Sequence, residues 1–141
     1  MGRARVTRVI VVDTSAIVAV AFAEPERADF LAVIERADRV LISSVSVVEA
    51  RMVVHARRGE RAVVLLDNFF GLPMFEIVPP GHQEMNAAYA AFVAFGKGSG
   101  HPAALNFGDV FGYALAKARG LPLLYKGTDF SETDITDALS V

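Results

Sequence analysis

The sequence predicts a three-layer α/β/α domain with a mainly parallel central sheet, one unit over residues 1–141. Three observations predict it. Short apolar runs alternate with segments of helical periodicity, the pattern of βα units joined by right-handed crossovers. The first run, Val9 to Val12, is β-branched throughout, as in a strand covered on both faces. The chain has 141 residues, 53% of them hydrophobic, which is enough for one core and leaves little room for a second.

The elements follow in order. The first strand ends at Asp13-Thr14-Ser15, and Ala16 to Phe22 reads as a helix. Pro25 can occupy the first turn of a second helix reaching about Ala37, with Phe30, Leu31, Ile34 and Ala37 on one face. Val40 to Ile42 is a short strand, and Ser43 or Ser44 is a suitable N-cap for a helix ending near Gly59. That helix carries Val45, Val48, Met52 and His55 along one flank. Ala62 to Phe70 is a further helix, and Phe75 to Val78 a strand closed by Pro79-Pro80. Met85, Tyr89, Phe92 and Phe95 recur at helical spacing, which makes His82 to Phe95 a helix. Gly96 to Gly100 is a flexible loop beside the edge where ligands collect. Asp109 to Arg119 is a helix stopped by Gly120, Leu121 to Tyr125 a strand, and the remainder a polar turn with an edge strand.

Composition excludes several function classes. With no cysteine there is no disulfide scaffold, thiolate zinc site or cysteine nucleophile, and the three histidines form no metal motif. The large apolar share calls for a self-association face or a partner groove. Arg3, Arg5 and Arg8 precede the apolar stretch Val9 to Ala23, an outline resembling a secretory leader. Asp13 interrupts that stretch, which is also too short to span a bilayer, so the expectation is a cytoplasmic protein with no membrane partner.

Four acids carry the chemistry. Ligands of open parallel sheets collect outside the carboxyl ends of the strands. Asp13 directly follows the first strand, and Asp129 lies a few residues past the last. Asp13 could equally be a helix N-cap, and Asp129 a turn residue. Glu49 sits mid-helix among Val45, Val47, Val48, Met52 and Val53, where a carboxylate wants a cation or a donor unless it faces solvent. Asp109 opens its helix, where a negative charge is favourable in any case. Meeting at one edge, the four would repel severely without a cation. Hard oxygen donors select Mg²⁺ or Mn²⁺ over zinc.

Four segments, Val11-Val-Asp-Thr-Ser-Ala16, Ser44-Val-Ser-Val-Val-Glu-Ala50, Leu105-Asn-Phe-Gly-Asp109 with Tyr113-Ala-Leu-Ala116, and Leu123-Leu-Tyr-Lys-Gly-Thr-Asp-Phe130, resemble the signature blocks of VapC-type PIN domains. They stand in the family's order, and the similarity runs from about Val9 to the C-terminus. The resemblance implies a PIN-like fold and a ribonuclease toxin of a type II toxin–antitoxin system. It further implies Asp13, Glu49, Asp109 and Asp129 as catalytic and metal-binding acids for Mg²⁺ or Mn²⁺. Thr14 matches the polar residue after the first acid, with Ser15 a weaker candidate. Asn106 falls in the third block as a supporting residue. Thr128 stands where the family more often has Asn, and Asp134 is either an accessory acid or a solvated turn residue.

The implied activity is endoribonuclease cleavage by in-line attack of water, leaving a 5′-phosphate and a 3′-hydroxyl, on transfer or ribosomal RNA. The implied partners are RNA, a small antitoxin that blocks the acidic site, and a second copy in a homodimer. Ala62 to Phe70 and the early helices are candidate faces. The formal charge of −2 is unusual for an RNA-binding protein, but two bound Mg²⁺ ions would bring it to +2. Arg51, Arg57, Arg58, Arg61, Lys97, His101 and Lys126 are candidate phosphate contacts, each otherwise ordinary surface. Two alternatives stand beside the nuclease: a catalytically inactive PIN-like RNA-binding module, and an aspartyl phosphotransfer domain. All four matched acids are present, against the first; Ser15 stands where a dehalogenase-like domain needs a second Asp, against the second.

Overall fold

A computed structural model describes residues 6–141; Arg3 and Arg5 of the leader-like outline lie outside the described residues. The elements are β1 (Val9–Val12), α1 (Thr14–Ala21), α2 (Arg27–Arg36), β2 (Arg39–Ser43), α3 (Ser44–Arg58), α4 (Glu60–Phe70), β3 (Phe75–Val78), α5 (His82–Phe95), α6 (Phe107–Arg119) and β4 (Leu123–Leu124). Short 3₁₀ turns cover Phe130–Glu132 and Ala138–Ser140. The strands form one all-parallel sheet in the order β3-β2-β1-β4. Val11 is in register with Leu41 on one side and Leu123 on the other, so β1 is central.

Strand alternation sorts the core into two layers. Ile10, Val12, Val40, Ile42 and Leu124 pack with residues of α1, α2, α3 and α4. Val11, Leu41 and Leu123 pack with residues of α5 and α6 on the other face. The sheet is thus sandwiched between helices, and the stretch Val9 to Ala21 supplies its central strand and a buried helix. Truncating a fully buried side chain such as Leu123 to Ala would cost about 2–5 kcal/mol. Among the described residues, no helix is long and apolar enough to cross a membrane.

Several boundaries differ from expectation for identifiable reasons. α1 begins at Thr14 because Asp13 itself caps it, and α2 begins at Arg27, after a turn containing Pro25. α6 begins at Phe107, capped by Asn106. β4 is shorter than Leu121 to Tyr125. Gly120 closes α6 in the left-handed conformation (φ 64°), the Leu121 N–H donates back to the Ala116 carbonyl, and Pro122 has no N–H to give. The expected edge strand is reduced to one bridge, Leu123 to Asp137. The Gly96–Gly100 loop is tied at its base, with Lys97 N–H donating to Leu105 O and the Ser99 hydroxyl to Gly96 O.

Apolar side chains face outward on three helices. α5 buries Ala88 and Ala91, while Met85, Tyr89, Phe92 and Val93 are exposed. The flank of α3 carrying Val48 and Met52 is likewise exposed, as are Val64 and Leu65 on α4.

Candidate active site

Because the four strands are parallel, their carboxyl ends share one edge, and the chain leaves that edge at Asp13. The Asp13 backbone is anchored by its N–H donating to Leu124 O. Its Oδ2 accepts from the Ser15 N–H at 3.0 Å and caps α1. Its Oδ1 has no hydrogen-bond partner, although the residue is only 2% exposed. Burial pushes the carboxyl up to about 7 from 3.8, opposed by the Ser15 hydrogen bonds and reinforced by the charges of Asp109 and Glu49. Asp13 is a helix cap, and one of its oxygens is left over.

α6 brings the second acid. Asn106 caps the helix by accepting from Asp109 N–H at 2.9 Å, while Asp109 Oδ2 accepts from Asn106 N–H at 3.0 Å. This reciprocal box fixes the first turn. Half-buried Asp109 is also raised above the ordinary range, first by burial and then by the charges of Asp129 and Glu49. Glu49 is half-buried on α3, and Asp129 is exposed on the loop after β4. Asp109 and Glu49 thus bear on Asp13, and Asp129 and Glu49 on Asp109. Among the described residues, no three carboxylate or imidazole groups stand close enough to hold an ion as they are placed.

Two residues of this site escaped the sequence reading. Gly108 and Gly112 are one turn apart on α6, and both are buried. A Cβ at position 108 would collide with the Glu49 carboxylate, and one at 112 would lie 2.9 Å from Asp13 Oδ1. Interior helical glycine is disfavoured by roughly 0.5–1 kcal/mol against alanine. Two such residues four apart in one helix were the available signal of a close approach.

The supporting residues separate. Thr14 is buried and its hydroxyl donates to Ser46 O, tying α1 to α3. Ser15 Oγ accepts from Lys126 N–H, tying α1 to the chain after β4. Thr128 is exposed, and its carbonyl accepts from the Ser131 hydroxyl. Asp134 stands apart from the acids: Tyr113 and Lys117 donate to its two oxygens at 2.5 and 2.6 Å. Lys117, then Tyr113, hold its carboxyl below the usual range. The basic candidates are partly engaged. Lys126 pairs with Glu24 and Glu26, Arg51 with Asp67, and Arg57 and Arg58 lie over the Phe22 ring. His101 packs edge-on against Phe95, and Arg61 and Lys97 are exposed.

Comparisons with known proteins identify the family and the fold. The PIN domain family model matches residues 10–135. The chain is 42% identical over 126 residues to Ribonuclease VapC30 of Mycobacterium tuberculosis, covering 89% of this chain and 95% of that one. It is 39% identical over 130 residues to Ribonuclease VapC28 of the same species, covering 92% and 98%. The crystal structure of M. tuberculosis VapC20, described as a Sarcin-Ricin loop cleaving toxin, shares the fold at a TM-score of 0.75 and 18% identity, over 91% of this chain and 97% of that one. VapBC2 from Rickettsia felis, bound to a DNA fragment from its promoter, shares it at 0.71 and 15% identity, over 92% and 96%. The chain belongs to the PIN-domain family and, within it, to the VapC ribonucleases.

Proposed function

We propose that this chain is a divalent-metal-dependent endoribonuclease that acts as the toxin of a toxin–antitoxin pair. The observation that carries the reading is Asp13: a buried carboxylate with one oxygen unsatisfied, at the carboxyl end of the central strand, facing the charges of Glu49 and Asp109. A buried carboxylate oxygen with no donor is costly. Here the neighbours add charge of the same sign, and a cation removes the cost.

The residues fit such an ion. Asp13 Oδ1, Glu49 and Asp109, with Asp129 at the rim, would supply an all-oxygen donor set of the kind that takes Mg²⁺ or Mn²⁺ once their side chains close on the ion. When bound, the ion supplies Lewis-acid chemistry, activating water and neutralising charge on the phosphoryl oxygens. The chain does the rest. Asp13 is held rigidly by Ser15 N–H and Leu124 O, and Asp109 by the Asn106 box. Gly108 and Gly112 keep Cβ atoms out of the space the carboxylates use. With the ion bound, water would add to phosphorus as the P–O3′ bond breaks in line, giving a 5′-phosphate and a 3′-hydroxyl.

The partners follow from surface chemistry. The exposed stripes on α3, α4 and α5 are apolar faces suited to a second copy and to an antitoxin. A basic side chain from the antitoxin would neutralise the acid cluster and shut the site. The test is sequencing of RNA 5′ ends after induced expression of wild type, Asp13→Asn and Asp109→Asn. New 5′-phosphate ends that appear only with wild type support the reading, as does their loss in EDTA with purified protein. Equal cleavage by folded Asp13→Asn would refute it.

A further inference from the structure

Phe107 is the first residue of α6, between the cap Asn106 and Gly108, against which the Glu49 carboxylate rests. It is 74% exposed, which no packing requirement of the fold explains. Its ring is nevertheless held. Phe111, half-buried against the α5–α6 core, meets it edge to face at 5.1 Å between centroids. Helical side chains lean toward the helix N-terminus, and the N-terminus of α6 is at the acidic edge. The ring therefore projects outward at the N-terminus of α6, next to Gly108, with one edge braced and the rest open to solvent.

The surroundings decide what it fits. The α5 stripe offers four neighbouring apolar side chains, the size of a protein-binding face. Phe107 is different: it stands between exposed Asn106 and the buried Gly108 under the Glu49 carboxylate, and its ring contact is with Phe111. A single braced ring beside a phosphate-cleaving site matches one flat ligand. Sequence-tolerant binding of single-stranded RNA commonly stacks unpaired bases on such aromatic faces.

We propose that Phe107 is the stacking platform for an unpaired nucleobase adjoining the phosphate that enters the acidic site. This rests on the nuclease reading and names one residue of this chain that holds the substrate beside the cleavage point. Phe107 is a binding residue here, and the acids keep the chemistry.

The test is steady-state cleavage of a labelled single-stranded RNA of mixed sequence in Mn²⁺, using wild type, Phe107→Ala, Phe107→Leu and Phe107→Trp. Each protein is melted first, and equal melting temperatures are expected because the side chain stands in solvent. Loss of stacking should raise KM about tenfold in Phe107→Ala and in Phe107→Leu, with kcat little changed, while Phe107→Trp retains wild-type KM. An abasic site beside the mapped cleavage point should abolish the difference between wild type and Phe107→Ala. If Phe107→Leu matches wild type, the ring has no stacking role and the proposal is overturned. The same follows if Phe107→Ala changes only binding of a protein partner. If wild type itself cleaves no RNA with Mg²⁺ or Mn²⁺, the nuclease reading has failed, and this proposal falls with it.

Discussion

The two ends of α6 treat carboxylates in opposite ways. At its start, Asp109 and Glu49 bear on the buried Asp13, and Asp13 and Asp109 are both raised above their ordinary range. Toward its end, Asp134 receives hydrogen bonds from Tyr113 and Lys117 on its two oxygens and is held below that range. Asp134 also lines a cavity of about 640 Å³ at the amino ends of the strands, with Thr7, Lys117 and Pro122. Beside one helix, then, stand an acid with donors on both oxygens and an acid, Asp13, with a donor on only one. The difference teaches where to look for function: a buried carboxylate oxygen without a donor serves no structural end.

The largest expected effect is on cleavage. Asp13→Asn should lower the rate by at least about 100-fold, or roughly 3 kcal/mol, because the neutral amide no longer attracts a cation. Asp134→Asn should leave cleavage close to wild type, since its partners lie on the far half of α6. Initial rates on one labelled RNA compare the two directly. Similar losses in both would erase the distinction between the ends of the helix.

The next effect is on stability against pH in metal-free protein. Asp13 binds its proton more tightly folded than unfolded. Its favourable contribution is therefore complete below about 3.8 and is lost as pH rises through about 7. Over that window the loss is on the order of a few kcal/mol. Asp134 runs the other way: its contribution is present above the ordinary carboxylate range and lost as pH falls through its lowered value. Half exposed, it is worth about 1 kcal/mol or less. Urea melts of wild type and Asp13→Asn at pH 5 and pH 8 in EDTA should show a gap that favours the mutant only at pH 8.

Much of this was legible beforehand. The Val9 to Val12 run, the Gly59 and Gly120 stops and the alternation of strands with helices all obey local rules. The order of the four acids followed from the signature blocks. Other features depend on packing between distant segments, which one sequence does not display. Nothing local to Asp134 announces Lys117 or Tyr113. Whether Asp13 spends both oxygens on capping depends on Gly112, ninety-nine residues later in the chain. The apolar spacing of α5 correctly marked a helix, but periodicity is silent about whether a stripe faces the core or solvent.

A smaller effect separates the rim from the floor of the site. Asp129 is exposed, so Asp129→Asn should change the metal-free melting temperature by no more than about 1–2 °C, as ordinary surface substitutions do. Its Mg²⁺ affinity, measured by titration calorimetry, should weaken less than that of Asp109→Asn. A larger loss at Asp129 would move the ion outward toward the loop.

The most direct test of the central claim, that Asp13 is buried to hold a cation, is a melting curve. Wild type and Asp13→Asn are compared at pH 8, with EDTA and with millimolar Mg²⁺. Asn keeps an oxygen for the Ser15 N–H but carries no charge. The account predicts that the EDTA-treated mutant melts higher than wild type by roughly 3–8 °C, or about 1–2 kcal/mol. It further predicts that Mg²⁺ raises wild type alone. If Asp13→Asn melts lower than wild type in EDTA and Mg²⁺ shifts both proteins equally, Asp13 is only a helix cap and the account is contradicted.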